Sequence, residues 1–284
     1  MPSLFRSFTT LMIALAALLS SGCERALFGY INRGLPPAEA SAVYAPELGL
    51  SLDIYRPQPA SARAAPVVVF FYGGGWQRGT RAQYRFVGRR LARQGVLTIV
   101  ADYRTWPRAG FPEFVDDGAR AVAWAKANAG AYGGDTQRLF IAGHSAGAQI
   151  AALLGTDARY LRRRGVGIDE VAGVIGLSGP YDFEITGQYR KVFGPPAQWP
   201  RAQAVNFVDG DEPAFLLIHG DADRVVESRD SVELADKLHA HGRSARLILL
   251  PGAGHMAPLG GLYRDERSPR VVPAIVDFVN GDTP

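Results

Sequence analysis

Leu139-Phe140-Ile141-Ala142-Gly143-His144-Ser145-Ala146-Gly147 opens on a short apolar run and ends on a serine held between two glycines. The run has the composition of a buried strand, and the segment that follows, Gln149 to Leu154, is apolar and helix-forming. A serine at a strand-to-helix turn is the arrangement a nucleophile elbow requires. The turn is so sharp that the serine backbone is strained, and the residues two before and two after it must be small for strand and helix to approach. Glycine-rich sequences contain this pattern by chance, so the flanking strand and helix give it weight, and partners elsewhere in the chain decide it.

Working outward, apolar runs alternate with helical patterns. Leu50-Ser51-Leu52-Asp53-Ile54-Tyr55 alternates with period two and stops at Arg56-Pro57, as a half-exposed strand does. Pro66-Val67-Val68-Val69-Phe70-Phe71 is continuously apolar, which predicts a strand covered on both faces. Val96–Val100, Val171–Leu177, Phe215–Ile218 and Leu247–Leu250 repeat that pattern. Between them, Phe114, Val115, Gly118, Ala121, Val122 and Ala125 share one face of a helix from about Pro112 to Ala129, and Ser231–His241 and Val271–Val279 are later helices. Continuous strands separated by helices predict an α/β fold: a mainly parallel sheet with helices on both faces. The weakly periodic segment after Gly179 is too long for a simple connection, and a small lid is expected at about residues 180–213. Its aromatic residues Tyr181, Phe183, Tyr189, Phe193 and Trp199 suit either a substrate pocket or the lid's own small core, and both readings stand open.

A serine hydroxyl is a weak nucleophile at neutral pH. It needs a general base, and the base needs an orienting carboxylate. Of the five histidines, His144 sits inside the turn and is better placed to shape it than to act as base. His219 ends a strand, and His239 and His241 lie at a helix end where a solvated role is expected. His255, in the flexible turn Pro251-Gly252-Ala253-Gly254-His255-Met256, is the one histidine that is last in the chain and follows a strand. For the acid, Asp223 is preferred over its competitor Asp221, because a carboxylate nearer the loop apex reaches His255 more easily. Developing negative charge on a carbonyl oxygen needs backbone N–H donors. The glycines of Tyr72-Gly73-Gly74-Gly75-Trp76, directly after the Val67–Phe71 strand, expose such groups, and the N–H of Ala146 adds another. A phosphate-cradling loop is disfavoured, since no Gly-Lys-Ser/Thr follows and the spacing is not G-x-G-x-x-G.

Taken together, these segments resemble an α/β-hydrolase of the carboxylesterase/lipase type, nearest the prenylcysteine methylesterase and kynurenine formamidase group with HGGGW-like loops. The resemblance runs from about Tyr44 to the C-terminus. It rests on Leu52–Pro57, Tyr72–Trp76, Asp102-Tyr103-Arg104, Tyr132-Gly133-Gly134-Asp135, the elbow, His219–Val226 and Gly254-His255. It implies Ser145 as nucleophile, Asp223 as acid, His255 as base and Gly74, Gly75 and Ala146 as oxyanion donors. It departs at Tyr72, where the family has a histidine that supports the loop. The implied reaction is hydrolysis of a small-molecule carboxylic ester through an acyl-enzyme. An amidase or formamidase using the same groups is the alternative, and a non-catalytic, surface-anchored binding protein on the same scaffold is the reading from another class. No cofactor and no metal are implied, because no histidine–carboxylate spacing suits zinc.

At 284 residues, with 47% hydrophobic and 20% charged residues, the chain suits one large domain with a substantial core. The net charge of +4 does not argue for nucleic acid, since the arginines are scattered and the densest run, Arg162-Arg163-Arg164, is short. Arg6, the apolar stretch Leu11–Leu19 and small residues Ser20-Ser21-Gly22 have the layout of a signal peptide over residues 1–22. Cys23, the single cysteine, then resembles the acylated cysteine of a bacterial lipoprotein, although Ser20 stands where that pattern prefers leucine. The expectation is export from a bacterial cytoplasm, a lipid tether on Cys23 and no spanning helix, with a linker over 23–40 and the catalytic domain over 41–284. Labelling with a radioactive fatty-acid precursor is expected to mark the wild-type chain and not Cys23→Ser; equal labelling of both would contradict the tether.

Overall fold

The Val67–Phe71 run forms a strand because β-branched and aromatic side chains fit a pleat buried on both faces. In the computed structural model, which describes residues 26–60 and 63–281, it becomes β3 (Ala65–Phe71), and all seven of its residues are buried. The chain divides into two units at Pro36/Pro37. The first contributes a short helix at residues 26–31, and the second holds the sheet. The expected signal segment over 1–22 and Cys23 lie outside the described residues. Within them, no helix is long and apolar enough to cross a membrane.

The second unit contains one eight-stranded sheet in the order β1-β2-β4-β3-β5-β6-β7-β8. Its strands are β1 (Ala40–Ala45), β2 (Leu50–Tyr55), β3, β4 (Leu97–Ala101), β5 (Gly134–His144), β6 (Gly173–Leu177), β7 (Ala214–Gly220) and β8 (Ala245–Leu250). The pairs β1–β2 and β2–β4 are antiparallel, and every later pair is parallel. The mainly parallel α/β sheet is therefore as expected. Two strands extend beyond the apolar runs. β1 lies at the sheet edge with only its last residue buried, and β5 starts five residues before Leu139. Across that polar lead-in the pairing with β3 slips, from Pro66↔Asp135 to Val67↔Leu139, so an irregularity takes up the polar residues.

The helices follow the same logic. α1 (Arg85–Ala92), α2 (Glu113–Asn128), α3 (Ala146–Thr156), α4 (Arg159–Arg162), α5 (Tyr189–Phe193), α6 (Arg229–Ala240), α7 (Ala257–Tyr263) and α8 (Val271–Asn280) connect or flank the strands. All six apolar-face residues predicted for α2 are buried. Every residue of α3 is buried, as expected of a helix with so few polar residues. Burying one Val, Leu, Ile or Phe side chain stabilises by roughly 1.5–3 kcal/mol, and both the central strands and the helices packed on them contribute such residues to the core. α2 also carries the buried Asp117, whose carboxylate takes a two-pronged contact from Arg104 at 2.8 and 2.9 Å and the Arg104 N–H at 3.0 Å. Removing one partner of such a buried pair costs about 3–5 kcal/mol, so this contact fixes the loop after β4 against α2.

Register places the chemistry. Phe71 pairs with Gly143, His144 with Leu177 and Gly220 with Leu250. β3, β5, β7 and β8 thus end level at one carboxyl edge, where ligands bind in open parallel sheets.

Candidate active site

The turn from β5 into α3 holds Ser145 at φ +53°, ψ −121°, a conformation a non-glycine residue rarely adopts. It persists because its surroundings over-determine it. The Ser145 N–H donates to the Leu177 carbonyl at 2.9 Å, and the Ser145 carbonyl accepts from Ala148 and Gln149. A Cβ on Gly147 would lie 2.1 Å from the Phe71 carbonyl oxygen, and one on Gly143 would lie 2.2 Å from the Gly147 oxygen. No side chain fits at either position.

The loops after β7 and β8 carry Asp223 and His255, the acid and base expected from the sequence. His255 Nδ1 lies 2.7 Å from Asp223 Oδ2, and the Asp223 side chain is fully buried. Asp223 Oδ1 accepts from the N–H groups of Val225 at 2.8 Å and Val226 at 3.0 Å. Burial alone would push this carboxyl up; the two backbone donors and His255 outweigh it and hold the group below its usual value. Asp221 is exposed and instead accepts the Gly252 N–H at 2.6 Å, tying the acid loop to the base loop. The choice between the two acids is therefore geometric, and only Asp223 touches His255. The His255 ring lies 5.0 Å, centroid to centroid, from that of His144, the residue before Ser145. The Ser145 hydroxyl makes no hydrogen bond to another described residue, and such contacts commonly tighten only when a substrate is bound. His144 is buried, and its Nε2 lies 3.2 Å from the His255 carbonyl oxygen. Burial, with the neighbouring His255 adding to it, pushes His144 down to about 3, so it is a neutral donor that holds the base loop. His239 and His241 are exposed at the end of α6, as expected.

After β3 the loop runs through three left-handed residues, Gly74 (φ +136°), Gly75 (φ +60°) and Trp76 (φ +58°). A Cβ on Gly74 would fall 2.2 Å from the Arg78 carbonyl oxygen, so only glycine is tolerated there. The Gly73 N–H is taken by the Tyr84 hydroxyl at 3.1 Å. Those of Gly74, Gly75 and Ala146 donate to no other described residue. Tyr72, standing in for the family's histidine, stacks on Tyr103 at 4.5 Å, and each hydroxyl bonds the other's backbone: Tyr103 Oη donates to the Tyr72 carbonyl at 2.8 Å, and Tyr72 Oη to the Tyr103 carbonyl at 3.3 Å. Burial pushes both phenols up, so they remain neutral donors. A reciprocal tyrosine pair thus does the supporting work. The strained Trp76 is anchored by its indole N–H to Gln149 Oε1 at 3.1 Å, and Gln149 Nε2 donates to the Ala202 carbonyl at 2.9 Å. Gln149, on α3, links the glycine loop, the elbow helix and the lid. Sequence reasoning missed it, because a glutamine in an apolar helix carries no sign of what it bonds.

The segment at about 180–213, where a lid is expected, consists of α5 and short 3₁₀ turns at Pro196–Ala202 and Ala204–Phe207. Its aromatics divide between the two open readings. Tyr181 and Phe193 are buried, whereas Phe183 and Tyr189 are half-buried against Trp76 at 5.4 and 5.5 Å, and the Tyr189 hydroxyl lies 3.3 Å from where a Gly75 Cβ would be. Trp199 donates its indole N–H to the Gly194 carbonyl at 3.0 Å, and the Arg190 guanidinium lies over its ring at 5.8 Å. The lid's root is pinned by Asp230 in the first turn of α6, which accepts the Tyr181 N–H at 3.0 Å. Burial pushes Asp230 up to about 6; the Tyr181 and Asp182 N–H groups oppose this, and the negative charges of Asp182 and Glu233 add to it. Among the described residues no cluster of three histidine, cysteine or acidic side chains could hold a metal.

A mainly parallel sheet with a serine elbow, a glycine loop and an Asp–His pair at its carboxyl edge defines the α/β-hydrolase class. The family model BD-FAE matches residues 52–238, and the chain belongs to that family. It is 34% identical to esterase LipC of Mycobacterium tuberculosis over 72% of this chain and 56% of that protein. It is 30% identical to a probable isoprenylcysteine alpha-carbonyl methylesterase of Oryza sativa subsp. japonica, over 86% of this chain and 63% of that one. The chain therefore spans only 56–63% of the length of these relatives. In fold it matches a Thermogutta terrifontis esterase with propionate bound, at TM-score 0.75 and 24% identity over 88% of this chain and 96% of that one. A truncated carbohydrate esterase from gut microbiota aligns at TM-score 0.74 and 24% identity over 86% and 98%.

The Asp230 carboxyl titrates higher in the fold than its ordinary value of 3.8, so its protonated form favours the folded state. That contribution is complete below the unfolded value and is lost as the pH rises through about 6. Melting curves of wild type and Asp230→Asn, taken from pH 4 to 7, are expected to diverge, the variant gaining on the order of 2 kcal/mol relative to wild type. Parallel curves would contradict the assignment.

Proposed function

We propose that this protein is a serine carboxylic-ester hydrolase acting through an acyl-enzyme. Ser145 Oγ attacks the ester carbonyl. His255 Nε2 takes the hydroxyl proton as the new bond forms and passes it to the departing alcohol. Asp223, ionised and held by two backbone N–H groups, keeps the imidazole proton on Nδ1 and stabilises the imidazolium. The N–H groups of Gly74, Gly75 and Ala146, which no described acceptor engages, receive the negative charge on the carbonyl oxygen. Water, activated by the same His255, then attacks the acyl-enzyme, which releases the acid and restores Ser145. The observation that carries this reading is the 2.7 Å contact between His255 Nδ1 and the buried Asp223 carboxylate, at the sheet edge where Ser145 emerges.

Relatives named as esterases and methylesterases support an ester over an amide. The half-buried Phe183 and Tyr189, packed on Trp76 beside the glycine loop, are assigned to the acyl or alcohol pocket, and Tyr181 and Phe193 to the lid core. Export and lipidation at Cys23 belong to the same proposal, with the enzyme tethered to a membrane surface.

Purified protein should hydrolyse p-nitrophenyl esters in a series of acyl lengths faster than the matching anilides. Ser145→Ala and Asp223→Asn are each expected to lower kcat by about 10⁴-fold or more. Asp221→Asn, whose amide oxygen can still accept the Gly252 N–H, should cost less than about ten-fold. Turnover by Ser145→Ala equal to wild type would overturn the mechanism, and loss in Asp221→Asn with activity kept in Asp223→Asn would exchange the two acids.

A further inference from the structure

Asp223 is shared by two histidines. The His219 side chain, at the end of β7, is fully buried, and its Nε2 lies 3.2 Å from Asp223 Oδ2 and 3.1 Å from the Val226 carbonyl oxygen. Its Nδ1 lies 2.7 Å from the hydroxyl of Ser231, a buried residue on α6. Nothing in the proposed reaction uses either side chain.

The acceptors assign the proton. Two oxygens that cannot donate, a carboxylate and a carbonyl, face Nε2, so Nε2 carries the hydrogen. Nδ1 is then the acceptor, and the Ser231 hydroxyl donates to it. Burial pushes the His219 imidazole down, in keeping with a neutral ring; the contacts with Val226 and Asp223 oppose that shift without cancelling it. The chain of donors runs from Ser231 Oγ–H to His219 Nδ1, and from His219 Nε2–H to Asp223 Oδ2. Asp223 Oδ2 also accepts from His255 Nδ1. With two backbone N–H groups on Oδ1, all four acceptor positions of the carboxylate are filled.

We infer that His219, oriented by Ser231, is a positioning residue for the proposed reaction: its Nε2–H fixes Asp223 Oδ2, and through it the His255 ring. The two backbone donors hold only Oδ1 and leave the carboxyl free to pivot about that end. A second donor on Oδ2, the His219 Nε2–H, removes the pivot. Misplacing a reacting group by about 1 Å costs on the order of 100-fold in rate, so a lost pivot stop is visible in turnover. This inference rests on the assignment of His255 as base.

Two measurements test it. In long-range ¹H–¹⁵N spectra of the wild-type protein, His219 is expected to be a neutral Nε2–H tautomer; an Nδ1–H tautomer or an imidazolium at pH 7 would overturn the donor chain. This spectrum needs no substitution and no turnover. In the second, His219→Leu is expected to lower kcat on a p-nitrophenyl ester by about 10- to 100-fold with KM unchanged. His219→Gln, whose amide N–H can replace Nε2–H, should recover most of that loss. Wild-type kcat in His219→Leu, or equal losses in the two variants, would overturn the positioning role. A wild-type protein without turnover on esters or anilides would count against the hydrolase reading itself, and the spectrum would still decide the donor chain.

Discussion

The approach of α3 to the end of β3 governs everything at the carboxyl edge. Gly147 packs so closely on the Phe71 carbonyl that one added methyl group would sit 2.1 Å from its oxygen. Overpacking of this kind costs about 1–3 kcal/mol where side chains can yield, and here backbone meets backbone. The contact is tolerated because the elbow helix is buried along its whole length, with its polar Gln149 and Thr156 side chains hydrogen-bonded. With strand and helix this close, Ser145 has nowhere to go but the left-handed turn, with its N–H on Leu177 of the adjacent strand. The glycine loop leaves from the same Phe71 and is thereby placed beside the serine.

Around that constraint, a few polar contacts do work that most surface pairs do not. Exposed ion pairs such as Arg229–Glu233 contribute about 0–1 kcal/mol. The buried ones define geometry: Arg104–Asp117 fixes the loop after β4, and Tyr103 in that loop buttresses Tyr72. Gln149 ties Trp76 to the lid through Ala202. Each joins segments far apart in the chain.

Much of this was legible beforehand. Continuous apolar runs marked six strands, and the glycine spacing marked the elbow, because both follow from local sterics. The loop after β7 offers Asp221 and Asp223, and their contacts differ: Asp223 meets His255, and Asp221 meets the Gly252 N–H. What stayed hidden is what depends on long-range placement. β1 is a half-exposed edge strand whose composition carries little strand signal, and the polar start of β5 pairs only because β3 lies beside it. His219 was visible as a strand end, yet its partnership with Asp223 arises because the loop doubles back, with the Asp223 N–H on the Gly220 carbonyl at 3.2 Å. Tyr72 looked like a departure, and its stacking on Tyr103, thirty-one residues on, turns it into a substitute.

The central claim is that Ser145 is the nucleophile, activated by His255 at a strained turn. It is tested most directly by treating the protein with a fluorophosphonate and locating the covalent adduct by peptide mass spectrometry. The account predicts a single adduct on Ser145, formed in step with loss of esterase activity and absent from His255→Ala. Inactivation with Ser145 unmodified, or an adduct on another residue, would contradict it.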